Sequence, residues 1–359
     1  MDNFVVSARK YRPQTFEDVV GQASITKTLD NAISSNHLAQ AFLFTGPRGV
    51  GKTTCARILA KKINSSDKHD GEEDFAFNIF ELDAASNNGV DGIRNLTEQV
   101  RIPPQVGNYR VYIIDEVHML TIPAFNAFLK TLEEPPPHAI FILATTEKHK
   151  IIPTILSRCQ IFDFKRIEIP DIIEQLELIG KKEKIKAEHD ALHVIAQKAD
   201  GAMRDALSIF DQIVSFCGNN ITYQDVIDNL NVLDYDYYFR VTDSIQKNEI
   251  PNSLLLFNEV LEKGFDGHNF INGLAEHFRN LLVCQNPETL ELLLVGENIK
   301  EKYKKQTSLL SGKDLLLALR ITSKCDIQYK ASKNQRLLVE ITLMQLCSIT
   351  EESEKKNPS

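Results

Sequence analysis

The chain has 359 residues, 43% of them hydrophobic and 25% charged, which is enough for two or three domains of a soluble globular protein. Its longest apolar runs, such as "VYII" and "AIFILA", are far too short to span a bilayer, and "MDNFVVSARKYRP" lacks an apolar core of signal-peptide length, so a cytoplasmic chain with no membrane partner is expected. The six cysteines (Cys55, Cys159, Cys217, Cys284, Cys325, Cys347) form no C-x-x-C pair and read as buried free thiols, while a net charge of −8 excludes a surface coated for phosphate binding, leaving any DNA contact local or shared with partners.

From Gln40 to about Lys165 short apolar strands alternate with helical patterns: "AFLFTG", "NIFELDA", "RVYIIDE", "AIFILATT" and "CQIFDF" read as strands of a parallel sheet covered by helices. In such sheets a ligand sits at the carboxyl ends of the strands. After Ile169 the spacing turns helical. Leu192, Ile195, Ala196 and Ala199 make one stripe, and Leu207, Phe210, Ile213 and Val214 make another, with a break at Gly201. From about Asn231 the segments "SLLLFNEVLEK", "DLLLALRITSK" and "RLLVEITLMQL" keep helical spacing. The expected domains are therefore an α/β domain over 1–166, a small helical domain over 167–230, an all-helical domain over 231–350 and a charged tail over 351–359. His189 and His193 share a helix face at i, i+4 and, with no acidic or thiol partner in view, read as surface or packing residues.

"GPRGVGKTT" fits the phosphate-loop pattern G-x-x-x-x-G-K-S/T through Gly46, Gly51, Lys52 and Thr53, and it stands between a strand and a helix as that pattern requires. The glycines let backbone N–H groups close on phosphate oxygens, Lys52 reaches the terminal phosphates and Thr53 holds Mg²⁺. "VYIIDEVHML" supplies Asp115 to complete the metal shell and Glu116 to polarise an attacking water, although an Asp-Glu pair at a strand end also serves as surface decoration. In the next helix Pro123 lies in the first turn, Phe125, Phe128, Leu129 and Leu132 share a face, and the triple proline stops it. The following strand ends in Thr145 and Thr146, hydroxyls suited to sensing a γ-phosphate or simply good strand residues. Arg158, in "TILSRCQIFDF", has no acidic residue within four positions on either side.

Together "ARKYRPQTFEDVVGQ", "GPRGVGKTT", "ELDAASNNGVDGIR", "YIIDEVHML", "AFNAFLKTLEEPPPH", "FILATTE", "ILSRC" and "GAMRDALS" resemble, in order, the gamma/tau subunits of bacterial DNA polymerase III, which are AAA+ clamp-loader ATPases. The resemblance covers the first two domains throughout and the third more loosely. It implies a P-loop AAA+ domain, a helical lid and an all-helical collar for oligomerisation. It implies that Ala8, Arg9, Tyr11, Arg12, Pro13, Val20 and Gly21 wrap the adenine; from the residues alone "ARKYRP" reads as a solvated basic arm. The phosphates would then lie on Gly46, Pro47, Gly49, Val50, Gly51, Lys52, Thr53 and Thr54, with Thr53 and Asp115 on the Mg²⁺ of Mg-ATP. Lys52, Asp115, Glu116, Thr146 and Arg204 would serve hydrolysis, Arg204 reaching from the lid to the γ-phosphate of its own nucleotide. Arg158 would be a finger offered to a neighbouring subunit's ATP. The implied function is ATP-driven opening and loading of the sliding clamp on primed DNA, without polymerase activity of its own. The implied partners are delta, delta-prime and further gamma/tau copies, the clamp and DNA.

The chain departs from this family in one respect. Relatives usually carry a four-cysteine zinc module after the phosphate-loop helix, whereas here that interval holds "SSDKHDGEEDFAF", Ser65 to Phe77, without cysteine. It reads as a short acidic loop, and zinc is not expected. The longer tau form carries additional domains tethering polymerase and helicase, and nothing in these 359 residues corresponds to them. Two competing readings are a non-hydrolysing scaffold resembling delta-prime, which has a degraded phosphate loop, and an AAA+ branch-migration helicase or remodeller, which lacks "ILSRC" and "LKTLEEPPP".

Overall fold

The apolar runs form five parallel strands in a computed structural model that describes residues 5–64, 75–105, 107–230, 232–293 and 295–349. The strands are β1 (Ala41–Thr45), β2 (Ile79–Asp83), β3 (Arg110–Asp115), β4 (Ala139–Thr145) and β5 (Gln160–Asp163), in the sheet order β2-β3-β4-β1-β5. The register pairs Thr45 with Thr145 and Asp83 with Asp115, so the polar strand ends gather along one edge.

Strand residues alternate between two cores, which is why the sheet needs helices on both faces. Phe42, Phe44, Ile113 and Ile142 pack with Leu29 of α2 (Ala23–Ser34) and Cys55 and Leu59 of α3 (Lys52–Asn64); α2 follows the single turn α1 (Ser7–Lys10). Leu43, Tyr112, Ile114 and Phe141 pack on the other face with Ile93 of α4 (Val90–Val100) and Phe128 of α5 (Ile122–Glu133). Thr121 caps α5 by accepting the Ala124 N–H, with proline in the first turn. The predicted face of α5 is inward: Phe125, Phe128 and Leu132 are buried. Beyond β4 come α6 (Pro153–Leu156), α7 (Ile169–Glu183), α8 (His189–Lys198) and α9 (Met203–Cys217). The two predicted stripes are buried except for half-buried Val214.

The chain divides into two compact units, the described parts of Met1–Ile185 with Ile195–Ser215, and of Lys186–Val194 with Phe216–Ser359. The second contains a pair of two-residue parallel strands, β6 (Lys186–Ala187) and β7 (Asn220–Ile221), which periodicity does not reveal. Its helices are α10 (Tyr223–Leu230), α11 (Tyr235–Gln246), α12 (Ile250–Glu262), α13 (Gly267–Cys284), α14 (Glu297–Gln306), α15 (Gly312–Tyr329) and α16 (Gln335–Cys347). They enclose one core, with Phe257, Phe270, Phe278 and Tyr303 among its fully buried side chains. The fold is thus a parallel α/β domain followed by helical regions, the architecture that the resemblance implies.

All six cysteines are free; Cys55, Cys284, Cys325 and Cys347 are buried, Cys159 and Cys217 half-buried. Burial pushes the Cys55 and Cys159 thiols up to about 12. Among the described residues no helix is long and apolar enough to cross a membrane. Residues 65–74 of the predicted acidic loop and the tail over 351–359 lie outside the described residues; from Phe75 the chain enters a 3-10 turn, Phe75–Asn78.

Candidate nucleotide site

The turn between β1 and α3 is built for close backbone approach. Gly46, at φ 138°, could not carry a Cβ, which would stand 2.3 Å from the Phe164 carbonyl oxygen. The helix that follows directs its free N–H groups and positive dipole end back toward this turn. Lys52 begins α3 with only 6% exposure, and its Nζ donates to the carbonyl oxygens of Gly46 and Pro47, each at 2.7 Å. Desolvation holds its ammonium below the usual lysine range, partly countered by Glu116 and Asp115.

One residue on, the Thr53 hydroxyl donates to Asp115 Oδ2 at 2.8 Å, joining the phosphate loop to the end of β3. A hydroxyl and a carboxylate at that spacing are an oxygen-only donor pair of the kind a hard cation such as Mg²⁺ takes, so the residues fit the implied metal. Among the described residues no three His, Cys, Asp or Glu side chains converge as a metal centre.

Glu116 has left-handed backbone, φ 48°, which turns its side chain away from the strand direction. Its Oε2 accepts from the Thr146 N–H at 3.1 Å and the Thr146 hydroxyl at 3.0 Å. His118, its side chain 6% exposed, stands behind: Nδ1 lies 3.0 Å from the Thr145 hydroxyl and 3.3 Å from Glu116 Oε2, and Nε2 lies 3.4 Å from Glu147 Oε1. The two threonines therefore differ. Thr146 meets the carboxylate, whereas fully buried Thr145 faces His118.

A cavity of about 410 Å³ opens at this strand edge. Its walls include Ala8, Tyr11, Arg12, Pro13 and Val20 from the N-terminal segment, Gly49, Val50, Gly51, Lys52, Thr53 and Thr54 from the loop and α3, and Asp115, Glu116 and Arg204. Arg9, Gly21, Gly46, Pro47, Thr146 and Arg158 do not line it. Arg9 instead faces an adjacent groove with Arg57 and Lys61, and Gly21 packs on Ile167. The wall also contains residues that sequence reasoning missed, among them Asp18, Arg48, Asp83, Ile167, Gln175, Met203 and Leu207. For Leu207 a signal existed: it is three residues past Arg204 on a helix and shares its face.

Arg158 lies outside the cavity, and although no acidic residue stands within four positions of it in sequence, the fold brings it a carboxylate. Nη2 pairs with Glu133 Oε1 at 2.7 Å and Nη1 donates to the Thr154 carbonyl at 2.8 Å. Glu133 ends α5 twenty-five residues earlier in the chain, so local sequence could not show it.

Comparison with known proteins decides the family. The family model "DNA polymerase III, delta subunit" matches residues 21–168, "DNA polymerase III clamp loader subunit, ATPase lid domain" matches 171–219, and "DNA polymerase III subunits gamma and tau domain III" matches 221–358. The DNA polymerase III subunit gamma of Buchnera aphidicola subsp. Baizongia pistaciae is 32% identical over 97% of this chain and 98% of its own length. The chain belongs to the DNA polymerase III gamma/tau family. The tau subunit of Bacillus subtilis is 40% identical over 96% of this chain, which spans 63% of that relative's length. A RuvB variant from Thermotoga maritima, at 19% identity and TM-score 0.50 over 65% of this chain and 79% of its own, shares the AAA+ fold. As a gamma/tau family member the chain is a clamp-loader subunit type, with a fold that binds nucleotide.

Proposed function

We propose that the chain is an ATPase motor of the replicative clamp loader, binding Mg-ATP in the cavity beside Lys52 and using its turnover to open the sliding clamp and load it onto primed DNA. The observation that carries this reading is the Thr53–Asp115 hydrogen bond beside buried Lys52, which unites the phosphate loop and the acidic strand end in one cavity. Lys52 exchanges its two carbonyl partners for terminal phosphate oxygens, the backbone N–H groups from Gly49 to Thr54 cradle the phosphates, and Thr53 and Asp115 hold Mg²⁺. The cation supplies charge neutralisation on the phosphates. Glu116 orients and polarises water, Thr146 positions Glu116, and Arg204 faces the γ-phosphate from the lid.

Arg158, outside the cavity and with its side chain 32% exposed, is the finger for a neighbouring subunit's nucleotide. To act it exchanges Glu133 for phosphate oxygens. Delta, delta-prime and further gamma/tau copies complete the assembly through the collar, and the surroundings are cytoplasmic. The test is ATP turnover with partner subunits, clamp and primed DNA. Arg158→Ala should leave nucleotide binding by the chain intact while lowering stimulated turnover by on the order of a thousandfold. A strictly monomeric preparation turning over ATP at the stimulated rate would overturn the shared-site reading. Binding without turnover in the full assembly would favour a scaffold like delta-prime.

A further inference from the structure

The N-terminal segment that walls the cavity has little to hold it in place on its own. Its helix, α1, is a single turn with no side-chain cap, and Val5 and Val6 before it are 45% and 50% exposed. Isolated turns of this length do not persist in water. Its order comes from the lid helices. Asp211 on α9 takes Ser7 with both carboxylate oxygens, Oδ2 accepting the Ser7 N–H at 2.7 Å and Oδ1 the Ser7 hydroxyl at 2.5 Å. Glu183, at the end of α7, accepts from the Tyr11 hydroxyl and pairs with Lys10 Nζ at 2.5 Å. Two ammonium groups stand over the Tyr11 ring, Lys10 at 5.5 Å and Lys182 at 5.8 Å from its centroid. Lys10 and then Tyr11 hold the Glu183 carboxyl below its usual range, so the anchor is ionised at neutral pH.

Geometry ties these anchors to the cavity. Leu207 and Asp211 are four residues apart on α9 and share a face: Leu207 lines the cavity while Asp211 grips Ser7. Ala8, which lies between the gripped Ser7 and Lys10, and Tyr11, itself held by Glu183, line the same cavity. Neither Asp211 nor Glu183 lines it.

We propose that Asp211 and Glu183 are positioning residues for the base-side wall, setting affinity for the base and sugar of an adenine nucleotide while leaving the phosphate cradle untouched. This rests on the nucleotide reading above. By linkage, a bound base strengthens the grip of arm on lid by the same factor that the grip strengthens base binding.

The test compares two probes with Mg²⁺ on the full chain by calorimetry: ATP, and inorganic tripolyphosphate, which has the phosphates without the base. Asp211→Ala and Glu183→Ala should each weaken ATP by about tenfold, the scale of losing a charge-assisted hydrogen bond, and leave tripolyphosphate within twofold. Asp211→Asn, which keeps an acceptor for the Ser7 N–H, should recover most of the loss. Equal weakening of both probes, or of neither, would overturn the proposal. Should Asp211→Ala fail to fold, Glu183→Ala, at a partly exposed site, decides by the same criterion. If the unaltered chain binds tripolyphosphate but not ATP, or binds neither, the nucleotide reading itself fails.

Discussion

The two units both bury polar side chains, and they do so to opposite ends. In the nucleotide unit Lys52 is 6% exposed, yet its charge faces a cavity and is hydrogen-bonded to two carbonyl oxygens. In the helical unit His277 is 1% exposed and fully enclosed: Nδ1 meets the Tyr303 hydroxyl at 2.9 Å, Nε2 meets Gln306 Oε1 at 3.1 Å, and Gln306 donates onward to Asp243 at 2.7 Å and to the Phe239 carbonyl. Phe239 packs edge-on against the imidazole with centroids 4.8 Å apart. Depth alone therefore does not mark a functional group. What marks it is a buried polar atom whose partners a ligand can replace, as opposed to one whose partners are other side chains in a closed network.

Four experiments bear on that contrast. The largest loss of ligand affinity is expected from Lys52→Ala, which should weaken ATP binding on the order of a hundredfold. Because burial already disfavours this ammonium, the melting temperature of the ligand-free chain should not fall. A marked drop, read by calorimetry, would move Lys52 into the structural class.

His277→Ala should show the reverse pattern. Loss of packing and two orphaned polar partners should destabilise the helical unit by about 3 kcal/mol, seen as faster amide exchange along α13, with ATP affinity unchanged.

Acid provides a third probe. Burial lowers the His277 pKa to about 3, so the folded imidazole stays neutral while the unfolded one takes a proton below about 6.5. The unfolded state then binds the extra proton, and stability must fall as pH drops from 6.5 toward 3, by about 1.4 kcal/mol per pH unit at most. Stability read from denaturation curves across this range should fall more steeply with decreasing pH for the parent chain than for His277→Gln.

The smallest effect concerns His118, which braces Glu116 and Thr145 without lining the cavity. His118→Ala should lower kcat of the assembled loader by about tenfold and leave KM unchanged, whereas a rise in KM would place it with the binding groups.

How much of this was readable beforehand follows from the range of each interaction. The strands were legible because both faces of β1, β3 and β4 are covered, which demands unbroken apolar runs. Gly46, Gly51, Lys52 and Thr53 were legible because a phosphate loop is a local structure with fixed spacing. Pairings across long stretches were not: Ser7 and Asp211 stand 204 residues apart, and Arg158, in the turn after α6, stands 25 residues from Glu133 at the end of α5. The two-residue strands β6 and β7 are too short for any period to register. His277 was visible in principle, since it falls three residues past Leu274 on the buried stripe that includes Phe270, Phe278 and Leu281. What the spacing could not supply was Tyr303 and Gln306 arriving from α14 to satisfy it.

The contact at Gly49 affects how mutational data on this chain should be interpreted. A Cβ there would meet Ala202 Cβ at 3.0 Å and Arg204 Cβ at 3.4 Å, and the Gly49 carbonyl accepts the Arg204 N–H at 3.4 Å. With φ at 77° the position also resists side chains on conformational grounds. Substitutions at Gly49 and around Ala202 should therefore show epistasis: a smaller or shifted residue at Ala202 relieves the steric part of a defect at Gly49 and leaves the backbone strain in place. A defect mapped to the glycine loop would then be a displaced lid in disguise, and second-site suppressors should cluster around Ala202.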